Sequence, residues 1–304
     1  MDPDEQLNKI RERIDAIDSQ LLDLISERAR CAREVAQVKL EAAQSEDGPP
    51  VFYRPEREAQ VLRAIQERNP GPLASDHVAS IFREIMSTCL ALEQPLSVAF
   101  LGPDGTYSQA AALKHFGQSA VPMGQASIHK VFRQVEERLC DYGVVPVENS
   151  TEGMVGQTLD CFLESPLQIT GEIELPVVHH LLASPGAELS SIKLVLGHEQ
   201  ALGQCRHWLD SQLPDLPREA VASNGEAARR AGIESGVAAI AGELAATLHH
   251  LEPLASAIQD SSSNTTRFLV LGKESVPASG HDKTSLLVSA RNRPGALLGL
   301  LRPF

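Results

Sequence analysis

Leu7-Asn8-Lys9-Ile10-Arg11-Glu12-Arg13-Ile14-Asp15-Ala16-Ile17-Asp18-Ser19-Gln20-Leu21-Leu22-Asp23-Leu24 places an apolar side chain at every third or fourth position. The stripe continues through Cys31, Val35 and Val38. Such spacing lines one face of a helix with aliphatic groups. Residues 4–43 contain neither Gly nor Pro, so nothing interrupts a helix about 60 Å long. A break is expected at Ser45-Glu46-Asp47-Gly48-Pro49-Pro50. Two shorter helical patterns follow, 55–68 and 76–93, divided by Asn69-Pro70-Gly71-Pro72, and Pro95 closes the unit. Two short helices cannot cover so long a seam, so the pattern predicts a dimer. Arg28 sits in the seam between Leu24 and Cys31. A guanidinium there is costly unless an anion meets it. Lys39 projects from the same face about 16 Å further along. The two could grip one small dianion; a surface ion network or a register-setting polar residue is the alternative reading.

From Leu96 the texture changes. Short apolar runs, 97–101, 142–147, 192–196, 237–240 and 267–271, alternate with turns and helical stretches, which predicts an α/β unit. Several strand ends run into polar turns that open a helix: Leu101-Gly102-Pro103-Asp104-Gly105-Thr106-Tyr107-Ser108, Val145-Pro146-Val147-Glu148-Asn149-Ser150-Thr151-Glu152-Gly153, and Leu196-Gly197-His198-Glu199-Gln200-Ala201. Helix N-termini favour anions. One such turn is ordinary capping, whereas several in one unit point to a cleft for a small anion.

The 304 residues amount to about two domains. Lys plus Arg is 27 and Asp plus Glu 40, a net charge of -13, which argues against a nucleic-acid surface. No apolar run reaches the length of a membrane span, and the N-terminal residues do not read as a secretory signal. Five cysteines without a C-x-x-C support neither a disulfide framework nor a structural zinc site. The doublets His179-His180 and His249-His250 are poor chelates, because adjacent side chains diverge. A cytoplasmic protein without metal or cofactor is expected.

The first segment, with Val35-x-x-Val38-Lys39, Arg57-Glu58 and the helix through Phe82 to Gln94, resembles the all-helical chorismate mutases. That resemblance implies an interlocked dimer and a Claisen rearrangement of chorismate to prephenate. This reaction needs the substrate held in its reactive conformer and charge stabilised on the breaking ether oxygen. By resemblance, Arg28, Arg57 and a second copy's Arg11 hold carboxylates, Lys39 donates to the ether oxygen, and Glu58 accepts from the hydroxyl. Arg11 lies about 100° off the Arg28 face, which suits service to the other subunit. Two positions depart from the family. Arg54 and its neighbours replace a usual Asp, and Glu93 stands where a Gln donates to the ether oxygen, so Glu93 can donate only when protonated.

The later turns, with Gly171-Glu172-Ile173-x-Leu175-Pro176-Val177-x-His179 and Ile258-Gln259-Asp260 through Asn264-Thr265-Thr266-Arg267-Phe268, closely resemble prephenate dehydratase. That implies two α/β lobes around a cleft, like a periplasmic binding protein, with crossovers near 171–176 and 254–260. The reaction expels the ring hydroxyl and carbon dioxide from prephenate to give phenylpyruvate. By resemblance, Thr266 delivers the proton, while Thr106, Ser108, Asn149, Ser150 and Gln200 bind and orient the substrate. Arg267 is the obvious cation for a carboxylate, or a structural one. Tyr107 stands where Phe is commoner, and Gly197-His198-Glu199-Gln200 replaces Ser-His-Pro-Gln.

Thr284-Ser285-Leu286-Leu287-Val288, a strand pattern to Ala290, precedes Arg293-Pro294-Gly295-Ala296-Leu297-Leu298. These resemble the start of an ACT regulatory domain, whose Gly295-Ala296-Leu297 turn would bind phenylalanine. The resemblance implies that the ACT domain is incomplete here. The expected organisation is therefore multidomain: a dimeric all-α mutase domain (1–95), a two-lobed α/β dehydratase domain (96–274), a linker (275–283) and a partial ACT domain (284–304). Expected partners are chorismate, prephenate, the effector phenylalanine and further copies of the chain, with neither nucleic acid nor membrane. A non-enzymatic anion sensor with a helical dimerisation module is the rival. It needs neither Arg28 and Lys39 in a seam nor a hydroxyl in an Asn-x-Thr-Arg-Phe block.

Overall fold

One unbroken helix, α1 (Pro3–Ala43), runs 41 residues; α2 (Pro55–Arg68) and α3 (Ser75–Ala91) pack on each other and α3 leans on α1. The computed structural model describes residues 3–43 and 52–303, so the break expected at 45–50 lies outside the described residues. Pro55 starts α2 where a missing N–H costs nothing. The seam of α1 stays open in one chain. Leu7, Ile10, Ile14, Ile17 and Leu21 are each about 50% exposed.

The α/β part has two lobes. The first contains β1 (Ser97–Leu101), α4 (Tyr107–Phe116), β2 (Val121–Gln125), α5 (Ile128–Glu136), β3 (Tyr142–Asn149), the short β4 (Gly153–Met154), α6 (Gly156–Glu164) and β5 (Gln168–Pro176). The chain then crosses to the second lobe: β6 (His180–Ala183), β7 (Leu194–Gly197), α7 (Glu199–Gln204), α8 (Arg206–Gln212), β8 (Arg218–Ala220), α9 (Asn224–Ile233), β9 (Val237–Ala241), α10 (Glu243–Leu248) and β10 (Glu252–Ala255). It returns as β11 (Thr265–Gly272), inserted antiparallel between β3 and β5. The first sheet is ordered β2-β1-β3-β11-β5 with β4 on β3, and the second β10-β6-β9-β7-β8.

Helices cover both faces of the first sheet. Val131, Phe132 and Val135 of α5 meet Val145, Leu269 and Leu271 on one face. Ala111, Ala112 and Phe116 meet Phe100, Val144 and Phe268 on the other. Tyr53, from the helical unit, is buried in this second cluster, with its ring 5.5 Å from Phe116 and 5.4 Å from Tyr142. The helical unit is therefore seated on the first lobe.

The strand expected at 284–290 does not form. These residues are exposed coil, and Leu286, Leu287 and Val288 cover nothing. An isolated strand leaves its backbone groups unpaired, and no described strand lies beside this one. A six-residue helix, α11 (Ala296–Leu301), follows Gly295 at φ +83°.

Candidate active sites

In the helical unit, Arg28, Lys39 and Glu93 converge. Arg28 Nη1 donates to Ile85 O at 3.4 Å, and Lys39 Nζ to Phe52 O at 3.0 Å. Lys39 Nζ also lies 3.8 Å from Glu93 Oε2 and 5.5 Å from the centre of the Phe52 ring. Glu93 lies in the turn after α3, where its N–H donates to Leu90 O at 2.8 Å. Glu93 Oε2 is buried without a hydrogen bond. Burial raises the Glu93 pKa, and the charges of Lys39 and Arg28 only partly oppose this.

The other expected mutase residues stand apart from these three. Arg11 donates to Asn8 Oδ1 at 3.5 Å on the exposed part of α1, about 25 Å along the helix from Arg28. Arg57 is exposed on α2. Glu58 pairs with Arg83 at 3.8 Å and accepts from the Tyr53 hydroxyl. Burial lifts its pKa to about 7. It lines a cavity of about 770 Å³ between α2, β5 and residues 276–285, which His115, Glu172 and Lys283 also face.

In the α/β unit, β11 pairs Thr266 with Asn149 of β3. Asn149 Nδ2 donates to Thr266 Oγ1 at 2.8 Å and to Asn264 Oδ1 at 3.0 Å. Asn149 Oδ1 accepts from the N–H groups of Thr151 and Glu152 at 2.9 and 3.0 Å. Those two backbone donors fix which end of the carboxamide faces Thr266. Thr266 Oγ1 therefore acts as an acceptor towards Asn149, and its own hydrogen remains free for another partner. Ser150 pins the start of β11: its Oγ accepts from Thr265 N at 3.0 Å and donates to Ser263 O at 3.2 Å. Thr106, the N-cap of α4, donates from Oγ1 to Leu101 O at 3.2 Å, and Ser108 is buried in the first turn.

The placements of Arg267 and Gln200 bear on the roles expected of them. Arg267 points away from Thr266, as alternation along a strand requires. It is bound by Glu148 and, at 3.2 Å, by Glu172, the arrangement expected of the structural alternative. Gln200 is exposed at the start of α7. The carboxamide that joins the Thr266 network belongs to Gln204, one helical turn later. Gln204 Oε1 accepts from Asn264 Nδ2 at 2.9 Å and lies 2.9 Å from His179 Nε2, while Gln204 Nε2 has no partner among the described residues. Three residues of this network have no role assigned from the sequence. Asn264 and His179 stand within the motifs that resemble prephenate dehydratase, and Asn264 precedes Thr266 by two residues, the period of a strand face. Gln204 is not named among them, although it shares a helix face with Gln200.

Among the described residues there is no cluster of His, Cys, Asp and Glu suited to a metal ion, and no helix long and apolar enough to cross a membrane. Residues 10–94 match the family described as chorismate mutase type II, and residues 98–276 match prephenate dehydratase. A bifunctional chorismate mutase/prephenate dehydratase from Pseudomonas aeruginosa is 54% identical over 300 residues, covering 99% of this chain and 82% of its own length. One of the same description from Escherichia coli is 31% identical over 327 residues, with 99% and 82% covered. A prephenate dehydratase from Arthrobacter aurescens, solved in complex with L-Phe, is 30% identical with a TM-score of 0.61, covering 69% of this chain and 72% of its own. The chain belongs to the bifunctional chorismate mutase/prephenate dehydratase family, and it is an isomerase and a lyase of phenylalanine biosynthesis.

Proposed function

We propose that Thr266 is the proton-delivering hydroxyl of the dehydratase. The supporting observation is the fixed Asn149 carboxamide, which occupies a lone pair of Thr266 Oγ1 and leaves its hydrogen to point elsewhere. In prephenate the ring C–O bond breaks as Thr266 delivers a proton to the departing hydroxyl. The carboxylate C–C bond breaks in turn, and its electron pair completes the aromatic ring. One proton is taken up overall, water and carbon dioxide leave, and Thr266 recovers its hydrogen from solvent. Aromatisation drives the step, so positioning and one weak acid suffice. Gln204 Nε2 and the helix start at Thr106 and Ser108 supply donors for the substrate's carboxylates. With prephenate supplied, Thr266→Ala yields no phenylpyruvate; turnover near wild type would overturn the assignment.

For the mutase, Arg28 holds a carboxylate while Lys39 and protonated Glu93 donate to the ether oxygen. Arg57 and Arg11 of a second copy complete the cradle. Two observations support this: Lys39 and Glu93 converge, and Arg11 is too far along α1 to serve its own Arg28. The open α1 seam supports a homodimer. Glu58 reaches the substrate hydroxyl in this scheme only by releasing Tyr53 and Arg83. Residues 284–304 begin an ACT module whose effector is phenylalanine. The left-handed Gly295 before Ala296 and Leu297 supports that reading, as does the L-Phe complex of the Arthrobacter aurescens dehydratase. A biosynthetic enzyme of this kind works in the cytoplasm.

A further inference from the structure

We infer that His179 is a positioning residue for the dehydration, setting the Gln204 carboxamide and, through Asn264 and Asn149, the Thr266 hydroxyl. This rests on the assignment of Thr266 above. His179 is 2% exposed and lies in the segment that carries the chain from the first lobe to the second. Its backbone is clamped by the returning segment: its N–H donates to Gln259 Oε1 at 3.0 Å, and its carbonyl accepts from Ile258 N at 2.8 Å.

The polarity of each link follows from the one before. The backbone donors at 151 and 152 orient Asn149, so Asn149 donates to Asn264 Oδ1. Asn264 must then present Nδ2 to Gln204, and Gln204 must receive it on Oε1. His179 Nε2 faces that same oxygen at 2.9 Å and can pair with it only as N–H. The neutral imidazole then carries its lone pair on Nδ1, 3.0 Å from the Tyr107 hydroxyl, whose one hydrogen is directed to Val178 O at 2.6 Å and reaches Nδ1 only as a forked bond. Burial lowers the affinity of His179 for a second proton. With both its lone-pair directions filled, Gln204 Oε1 has one orientation, and its two N–H donors are held in place. The relay joins Tyr107, Asn149 and Thr266 of the first lobe to Gln204 of the second, so it also sets the register between the walls of the cleft.

A buried histidine that merely satisfies its neighbours would have a different signature on mutation. His179→Leu keeps the volume and removes the donor, whereas His179→Gln keeps an N–H able to reach Gln204. The relay requires His179→Leu to lose about 10²-fold in kcat on prephenate, the scale of a small misplacement, with KM little changed. His179→Gln should recover most of that loss. His179→Leu should add nothing in a Gln204→Ala background, since coupled residues are non-additive. Equal losses in the Leu and Gln variants, or additive losses in the double variant, would overturn the role. Activity retained in Thr266→Ala would instead remove the underlying assignment. Should His179→Leu fail to fold, nitrogen NMR of the intact protein decides. The relay demands a neutral His179 protonated at Nε2, and an Nδ1–H tautomer would overturn it.

Discussion

Asn149 Nδ2 stands 2.8 Å from Thr266 Oγ1, with its carboxamide oxygen held by two backbone N–H groups. That pairing decides what the threonine can do. An oxygen that accepts from a neighbour has its hydrogen to give. An oxygen facing a carboxylate would spend its hydrogen on it.

Asn149→Asp tests this directly, since a carboxylate has no hydrogen to donate. The Thr266 hydroxyl is then expected to donate to the carboxylate introduced on β3, and kcat for prephenate should fall at least about 10²-fold, the cost of losing a general acid. Steady-state formation of phenylpyruvate is the measurement, and a kcat within roughly threefold of wild type would discount the hydrogen-bond argument.

The two chemistries should separate. Arg28 and Thr266 lie in different units and share no partner among the described contacts. Arg28→Ala is expected to abolish chorismate turnover while dehydration of supplied prephenate continues, and Thr266→Ala to do the reverse. Paired assays on each folded variant check this. Loss of both activities in either variant would show that the sites depend on one another.

Glu93 makes the mutase sensitive to pH. Its carboxyl must be protonated to donate to the ether oxygen, and burial favours the protonated form against Lys39. Activity should therefore decline as pH rises through the Glu93 titration. A glutamine donates at every pH, so Glu93→Gln should flatten that limb of kcat/KM. Matching profiles for wild type and variant would remove Glu93 from the reaction.

Glu58 ties stability to pH. Burial raises its folded pKa to about 7 from an ordinary 4.5, so the folded chain keeps a proton that the unfolded chain has lost. The associated stability is complete below about pH 4.5 and is lost as pH rises through about 7. At most it amounts to on the order of 3 kcal/mol. Denaturant titrations of wild type and Glu58→Gln at about pH 5 and about pH 8 should show the gap between them changing by that order. A constant gap would mean Glu58 is ionised throughout.

The helical seam was legible because a 3.6-residue period is written in the residues themselves, and Lys39 and Arg28 stand out as charges within it. Thr266 and Asn149 were legible as members of polar turns at strand ends. The insertion of β11 between β3 and β5 was not, because pairing between distant segments leaves no local period. Nor was the seating of Tyr53 in the first lobe, since an aromatic residue before a helix reads as an ordinary loop residue. Gln200 and Gln204 occupy one face of α7, and only the position of Asn264 across the cleft separates their roles. The strand expected at 284–290 shows the converse: a strand pattern forms a strand only where another strand lies beside it.

The lobes meet at Gly225, in the first turn of α9. A Cβ there would lie 2.2 Å from the carbonyl oxygen of Asp104, in the turn after β1. The obstacle is backbone, and the turn is held by Gly105 at φ +79° and by a 2.7 Å hydrogen bond from Gly105 N to Gln109 Oε1. An alanine at 225 must therefore move the second lobe away from the first by roughly 1 Å. Tyr107, which also packs against Gly242 of the second lobe, would shift relative to it. Displacements of this size at a site built from both lobes cost about 10²-fold. Gly225→Ala is thus expected to lose dehydratase kcat/KM by that order. Chorismate turnover should be unchanged, because α1, α2 and α3 do not pack on α9 among the described contacts. Full dehydratase activity in a folded Gly225→Ala protein would show that the cleft works without this approach, and a parallel loss of mutase activity would show that the lobes and the helical unit move together.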